Sequence, residues 1–253
     1  MYSKDEIRFC QGSIVANVRQ DGRKRLQIRP VSVTPSTLPI ADGSCDVVFG
    51  DTEVHCSVRL MQYVEGAYVT VTVTDQLAGR ERGRGGGSTP AARKRLFLAD
   101  LIRQSLSLGG VEEGPLETAG VAVFVYLTVV TEGEAILEAS SLAVRKALSL
   151  IPEQVLECVE LPKDMFDESK LPLSLVVRHC GESAILDPTP IEAAACGASV
   201  SVIALPVPKT EGEADDTQAT LLRCVSAGAP VSPQELQRAI RLGTRTIQKL
   251  SQL

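Results

Sequence analysis

DGSCDVVFGDTEVHCSVRL, residues 42–60, reads as two strands joined at Gly50-Asp51-Thr52, a turn of the kind that closes a β-hairpin. On its N-terminal side LQIRPVSV (26–33) has the period-two pattern of a half-buried strand, and on its C-terminal side YVTVTVT (68–74) is a further β-branched run. A helix then follows a glycine-rich basic stretch. Thr89 is placed to cap it, Pro90 suits its first position, and Leu98, Leu101, Ile102 and Leu106 fall on one face. VAVFVYLTVV (121–130) is apolar throughout and reads as a central strand. LEASSLAVRKALSL (137–150) has helical spacing and ends at Ile151-Pro152.

A second strand-rich part begins near residue 172 with LSLVVRHC, SAILD, GASVSVIALPV and TLLRCVSAG, and the acidic KTEGEADDTQ (209–218) reads as a hairpin loop before the last of these. Ser232-Pro233-Gln234-Glu235 is a capping box that opens a terminal helix. Leu236, Ile240, Ile247 and Leu250 supply its buried stripe, and Arg238, Arg241, Arg245 and Lys249 a basic one read as a solvated face. These elements predict a mixed α/β (α+β) protein with two strand-rich parts, each followed by helix: residues 1–160, with an N-terminal extension over 1–18, and residues 161–253.

The bulk composition agrees with a globular reading. The 253 residues are 44% hydrophobic and 23% charged, with a formal net charge of −5 and no Trp, so the core is expected to be aliphatic. No apolar run reaches the ~18 to 20 residues that span a bilayer, and the charged start lacks the apolar centre of a signal peptide, so no membrane association and an intracellular location are expected. Seven cysteines form no CxxC. The pairs His55-Cys56 and His179-Cys180 lie far apart, and free thiols are expected in preference to a zinc site assembled from them.

The densest charge lies in GRERGRGGGSTPAARKR (79–95), which carries six of the 26 Lys and Arg residues. It lacks the GK[ST] of a phosphate-binding P-loop, and its helix opens at Pro90 rather than at the last glycine of a dinucleotide fingerprint. Arg80, Arg82 and Arg84 alternate with Gly and Glu, while Arg93, Lys94 and Arg95 stand in the first helical turn, where cations oppose the helix dipole and a bound anion would offset that cost. The residues alone leave a nucleic-acid backbone grip and a solubilising loop equally open. Asp164, Asp167 and Glu168, and Asp187 with Glu192, are carboxylates of the kind that hold Mg²⁺ or act as acid and base, but their proline neighbours favour turn formation. Ser140-Ser141 has no histidine nearby in sequence to activate it.

Several blocks, in order, resemble the RNase PH-like family. They are FCQGSIVANVRQDGRKRLQIRPVSV with its Arg19-x-Asp21-Gly22-Arg23, ADGSCDVVFGDTEVHCSV, RKRLFLADLIRQSL, EGEAILEASSLAVRKAL and ILDPTPIEAAACGASVSV. The D-P-T-x-x-E motif and the extension before D-G-R resemble most closely a non-catalytic ring subunit of the eukaryotic RNA exosome. The resemblance implies a domain like the second domain of ribosomal protein S5 followed by a smaller C-terminal α/β part. It also implies a six-membered ring with other RNase PH-like subunits, contact with S1/KH cap subunits, threading of single-stranded RNA for processing and degradation, and residence in nucleus, nucleolus and cytoplasm. Arg80, Arg82, Arg84, Arg93, Lys94 and Arg95 become the expected RNA contacts.

Active members of the family hold phosphate with a Gly-Ser/Thr-Arg segment. By resemblance that segment falls here on Thr131-Glu132-Gly133, followed by Glu134. Their two aspartates, six residues apart, fall on Ala193 and Ser199. Two carboxylates within ~5 Å of a phosphate would oppose it by about 1 kcal/mol each even in water-like dielectric. The expectation is a chain without catalysis, metal or cofactor. An active phosphate-dependent 3′-to-5′ exoribonuclease and an RNA-free scaffold are the alternatives.

Overall fold

The computed structural model describes residues 2–75, 90–208 and 218–253. It contains two sheets with helices between and around them.

The hairpin is β2 (Gly43–Phe49) and β3 (Thr52–Gln62), paired antiparallel with Phe49 opposite Thr52. Gly50 turns the chain at φ +61°, and a Cβ there would stand 2.3 Å from Nε of Arg29, so only glycine fits. β1 (Val31–Pro35), β4 (Val69–Asp75) and β5 (Val121–Thr131) complete a five-stranded sheet in the order β1-β2-β3-β5-β4. Only β4 and β5 run parallel, which requires a crossover; α2 (Pro90–Gly109) and α3 (Glu113–Ala119) lie on that connection. Leu98, Leu101, Ile102 and Leu106 are all buried, as their spacing predicts.

α4 (Ile136–Ser149) is the shared centre. It packs on β2 and β3 of the first sheet and on β6 of the second, and almost all of its residues are buried. Its approach to β2 is close enough that a Cβ on Gly43 would meet the Ala147 carbonyl oxygen. After α5 (Glu153–Cys158) and a 3-10 turn at Glu168–Lys170, the second sheet is built from β6 (Leu173–Cys180), β7 (Ser183–Leu186), β8 (Ala198–Leu205) and β9 (Thr220–Gly228). Its order is β7-β6-β8-β9 and every pair is antiparallel. α6 (Pro190–Ala195) leads into β8, and α7 (Pro233–Leu250) lies across β6 and β8. One continuous aliphatic core runs through both sheets. Among the described residues no helix is long and apolar enough to cross a membrane.

Four local expectations need adjustment. The first strand begins at Val31 rather than at Leu26, because Arg29 is drawn out of any ladder by Asp187, which accepts its backbone N–H at 2.7 Å. β5 is central, yet it is covered on one face only: Val123, Val125 and Leu127 are buried while Tyr126 points outward and is exposed. In α7 the capping box forms, but Ala239, Gly243 and Thr244 take fully buried positions while Leu236 and Ile240 are half-buried. A Cβ on Gly243 would stand 2.8 Å from the Val202 side chain, so small residues let the helix settle onto the sheet. The N-terminal extension is itself a helix, α1 (Lys4–Val15), capped by Ser3 and Glu6; Cys10 and Ile14 pack with Cys180, Ile185 and Ala195. Thr89 and residues 209–217 of the acidic loop lie outside the described residues; β8 and β9 pair antiparallel on either side of that loop.

Candidate functional site

A cleft of about 280 Å³ opens where the two sheets meet the start of α2. The end of β4 contributes Asp75, the first turns of α2 contribute Lys94, Arg95 and Phe97, and the β5–α4 loop contributes Glu132, Gly133 and Glu134. From the second sheet come Val176 and Arg178 on β6, Ser199 and Ser201 on β8, and Val225 on β9.

Steric fit explains the position of the β5–α4 loop. A Cβ on Gly133 would lie 2.3 Å from Oδ1 of Asp51 and 2.4 Å from Oγ1 of Thr52, so this glycine lets the loop press against the hairpin turn. Arg29 in turn holds Asp51, with Nη1 2.8 Å from Oδ1.

The charges of the cleft are matched in sign. Arg178 Nη2 donates to Glu134 Oε2 at 2.7 Å. Lys94 Nζ lies 3.8 Å from Glu132 Oε1, and the Arg95 guanidinium contacts the Asp75 carboxylate. Glu132 and Glu134 therefore do not stand as uncompensated negative charge, which corrects the expectation of simple repulsion. The compensating Arg178 was missed because it arrives from a strand 44 residues away in sequence from Glu134. Arg178 also sits opposite Ser199 in the β6–β8 register, so a cation and a hydroxyl occupy that wall. Ala193 lies on α6, nearly buried and outside the cleft lining. Behind the loop, Glu138 is wholly buried and burial pushes its carboxyl up to about 7. Its Oε1 accepts the Val176 N–H at 2.8 Å, and its Oε2 has no hydrogen-bond partner among the described residues.

Of the six expected RNA contacts, Arg80, Arg82 and Arg84 lie outside the described residues. Arg93 and Lys94 are on the exposed side of α2, and the Lys94 side chain is 79% accessible. Arg95 is less available: its side chain is only 26% accessible and already engaged by Asp75, because β4 ends beneath the first turns of the helix.

The other candidate groups are occupied by the fold. Arg19 is buried, and its guanidinium grips Glu192 at two points, Nε–Oε1 at 2.9 Å and Nη2–Oε2 at 2.6 Å. Asp187, at φ +45°, accepts from Arg23 Nη1 at 2.7 Å and from the backbone and guanidinium of Arg29. The R-x-D-G-R and D-P-T-x-x-E motifs are thus two halves of one lock between the N-terminal segment and the second sheet. Asp164 pairs with Lys170, Asp167 accepts the Ser169 N–H, and Glu168 takes Lys146 and Ser149. Ser141 donates to the Glu138 carbonyl and accepts the Ser174 N–H. His55 Nδ1 lies 2.6 Å from Asp46 Oδ1 on the outer sheet face, whereas Cys56 points into the core, where burial holds its thiol well above the usual range. Burial likewise pushes Cys45 to about 11 and Cys196 to about 12, which removes them as nucleophiles near neutral pH. Among the described residues no three His, Cys, Asp or Glu side chains gather as a metal site.

Residues 27–151 match the family model described as 3′ exoribonuclease family, domain 1. Three solved structures share the fold along nearly the whole chain. An archaeal exosome core chain is 19% identical with a TM-score of 0.68, covering 98% of this chain and 95% of that one. A chain of the Archaeoglobus fulgidus exosome with RNA bound to the active site is 19% identical with a TM-score of 0.69, covering 98% and 97%. Rice (Oryza sativa) Rrp46 is 18% identical with a TM-score of 0.66, covering 92% and 96%. Residues 27–151 are therefore a first domain of the RNase PH family of 3′ exoribonucleases, carried in a chain whose two sheets together have the RNase PH-like fold.

Proposed function

We propose that this chain is a catalytically inert RNase PH-like ring subunit of an RNA exosome, one that helps form the barrel through which RNA is threaded. The observation that carries the reading is the cleft itself. Lys94, Arg95, the 131–134 loop and Ser199 converge there, as they would in a phosphorolytic site, but every cation is paired with a carboxylate and the wall at Ser199 offers no acid. Phosphorolysis needs donors free to hold inorganic phosphate and a carboxylate free to assist the leaving group. Neither is supplied here. RNA contact then falls to the exposed cations Arg93 and Lys94 with Arg80, Arg82 and Arg84, which grip phosphates without reading bases. Other RNase PH-like subunits and S1/KH caps are the partners this reading requires, in nucleus and cytoplasm.

Incubation of the purified chain with RNA, Mg²⁺ and phosphate tests the inert half of this reading: appearance of nucleoside diphosphates overturns it. The paired charges also favour one alternative, an RNA-free scaffold. In the assembled ring, the slope of log affinity against log salt separates the two. Arg93→Glu with Lys94→Glu is expected to lower that slope by roughly 2 units, about 0.7 per lost phosphate contact on a single strand. A slope unchanged by both substitutions favours the scaffold.

A further inference from the structure

We infer that the interior of the cleft is a docking pocket for one apolar side chain, aromatic by preference, presented by a neighbouring polypeptide. The identity of that neighbour as a ring partner rests on the reading above; the pocket chemistry does not. Below the charged rim the lining is hydrocarbon: Phe97, Leu101, Val129, Ile136, Val176 and Val225 all face the space. At about 280 Å³ the space falls just under the ~300–1,000 Å³ of sites that enclose a whole small ligand, a size suited to one or two side chains.

Charge selects among occupants. Asp75, Glu132 and Glu134 balance Lys94, Arg95 and Arg178, so the mouth exerts little net field to draw in a polyanion. A phosphate entering would displace carboxylates from guanidinium groups and then face those carboxylates unpaired. An uncharged apolar group disturbs none of these pairs, and a polar rim around an apolar centre is the arrangement in which buried anchors dominate protein–protein binding. The α2 surface at the mouth supports the same occupant. Phe97 is 58% exposed and its neighbour Leu96 67% exposed, apolar area placed to cover an entering ring.

The experiment is methyl NMR of the full chain, titrated separately with neutral N-acetyl-phenylalaninamide, inorganic phosphate and an oligouridylate. The aromatic amide is expected to shift the methyl signals of Leu101, Ile136 and Val176 saturably, while phosphate and oligouridylate leave them in place. Val225→Asp should weaken the response roughly tenfold by placing a carboxylate in the pocket wall. Phe97→Ser, at an exposed position, should weaken it without affecting the fold. An absent or non-saturating response to the amide overturns the inference, as does a shift of these methyls by phosphate or RNA. Failure of the ring reading looks different: the native mass of the protein purified from its source would be that of a chain without RNase PH-like partners, whatever the titration shows.

Discussion

Replacement of Glu192 by Ala tests whether the two motifs at opposite ends of the chain form a lock. Both side chains of the Arg19–Glu192 pair are essentially inaccessible, at 0% and 1%. Besides the two contacts with Glu192, the guanidinium donates to the carbonyls of Leu186, Asp187 and Gln27 at 3.2, 2.8 and 3.3 Å, and Glu192 also accepts the Thr189 N–H at 2.7 Å. Truncation leaves a buried cation with no counter-charge and a backbone donor with no acceptor. Breaking one side of a buried pair costs about 3–5 kcal/mol, against a total stability on the order of 5–15 kcal/mol. With a urea dependence near 3 kcal/mol per molar, the unfolding midpoint should fall by about 1–2 M. Urea titration followed by circular dichroism measures it, since the chain has no Trp. Arg19→Met with Glu192→Leu should recover much of the loss, because an apolar pair needs no neutralisation and orphaned carbonyls are tolerated better than an orphaned charge. A midpoint shift under about 0.3 M for Glu192→Ala, or strictly additive effects in the cycle, would refute the lock.

Two more outcomes follow from the loop and from the buried carboxyl behind it. Gly133→Ala should destabilise the protein by about 1–3 kcal/mol, because its Cβ meets Asp51 and Thr52 at the hairpin turn; an unchanged melting curve counts against the close approach. The Glu138 carboxyl titrates near 7 in the fold against an ordinary 4.5, so between these values the native state holds a proton that the unfolded chain releases. Stability from this group is therefore highest at low pH and declines as pH rises from about 4.5 through 7, by at most about 3 kcal/mol. Glu138→Gln should gain relative to the parent chain between pH 5 and pH 8; the same difference at both pH values would show that the carboxyl is not held neutral by burial.

Much of the fold was legible from local pattern. The hairpin at residues 42–60, the four leucine and isoleucine positions of α2, the helix at 137–150 and the capping box of α7 all depend on interactions within a few residues, and those are written in the spacing. The misreadings were made by distant neighbours. Residues 26–30 have a strand pattern, yet Asp187 withdraws Arg29 from a ladder. α7 was expected to bury its large residues, yet close approach to Val202 favours Ala239 and Gly243.

The same division applies to the candidate site. Sequence by itself determined the absence of an arginine at 131–134 and of aspartates at 193 and 199, because the presence of a side-chain type needs no coordinates. It also located the basic cluster that opens α2. Only the tertiary structure decided what the remaining charges do: that Arg178 reaches Glu134, that Asp75 occupies Arg95, and that Asp187 and Glu192 belong to a lock and not to a metal site. The physical reason is that electrostatic energy depends on distance through space and on burial, and both are set by how the two sheets close around α4 rather than by separation along the chain.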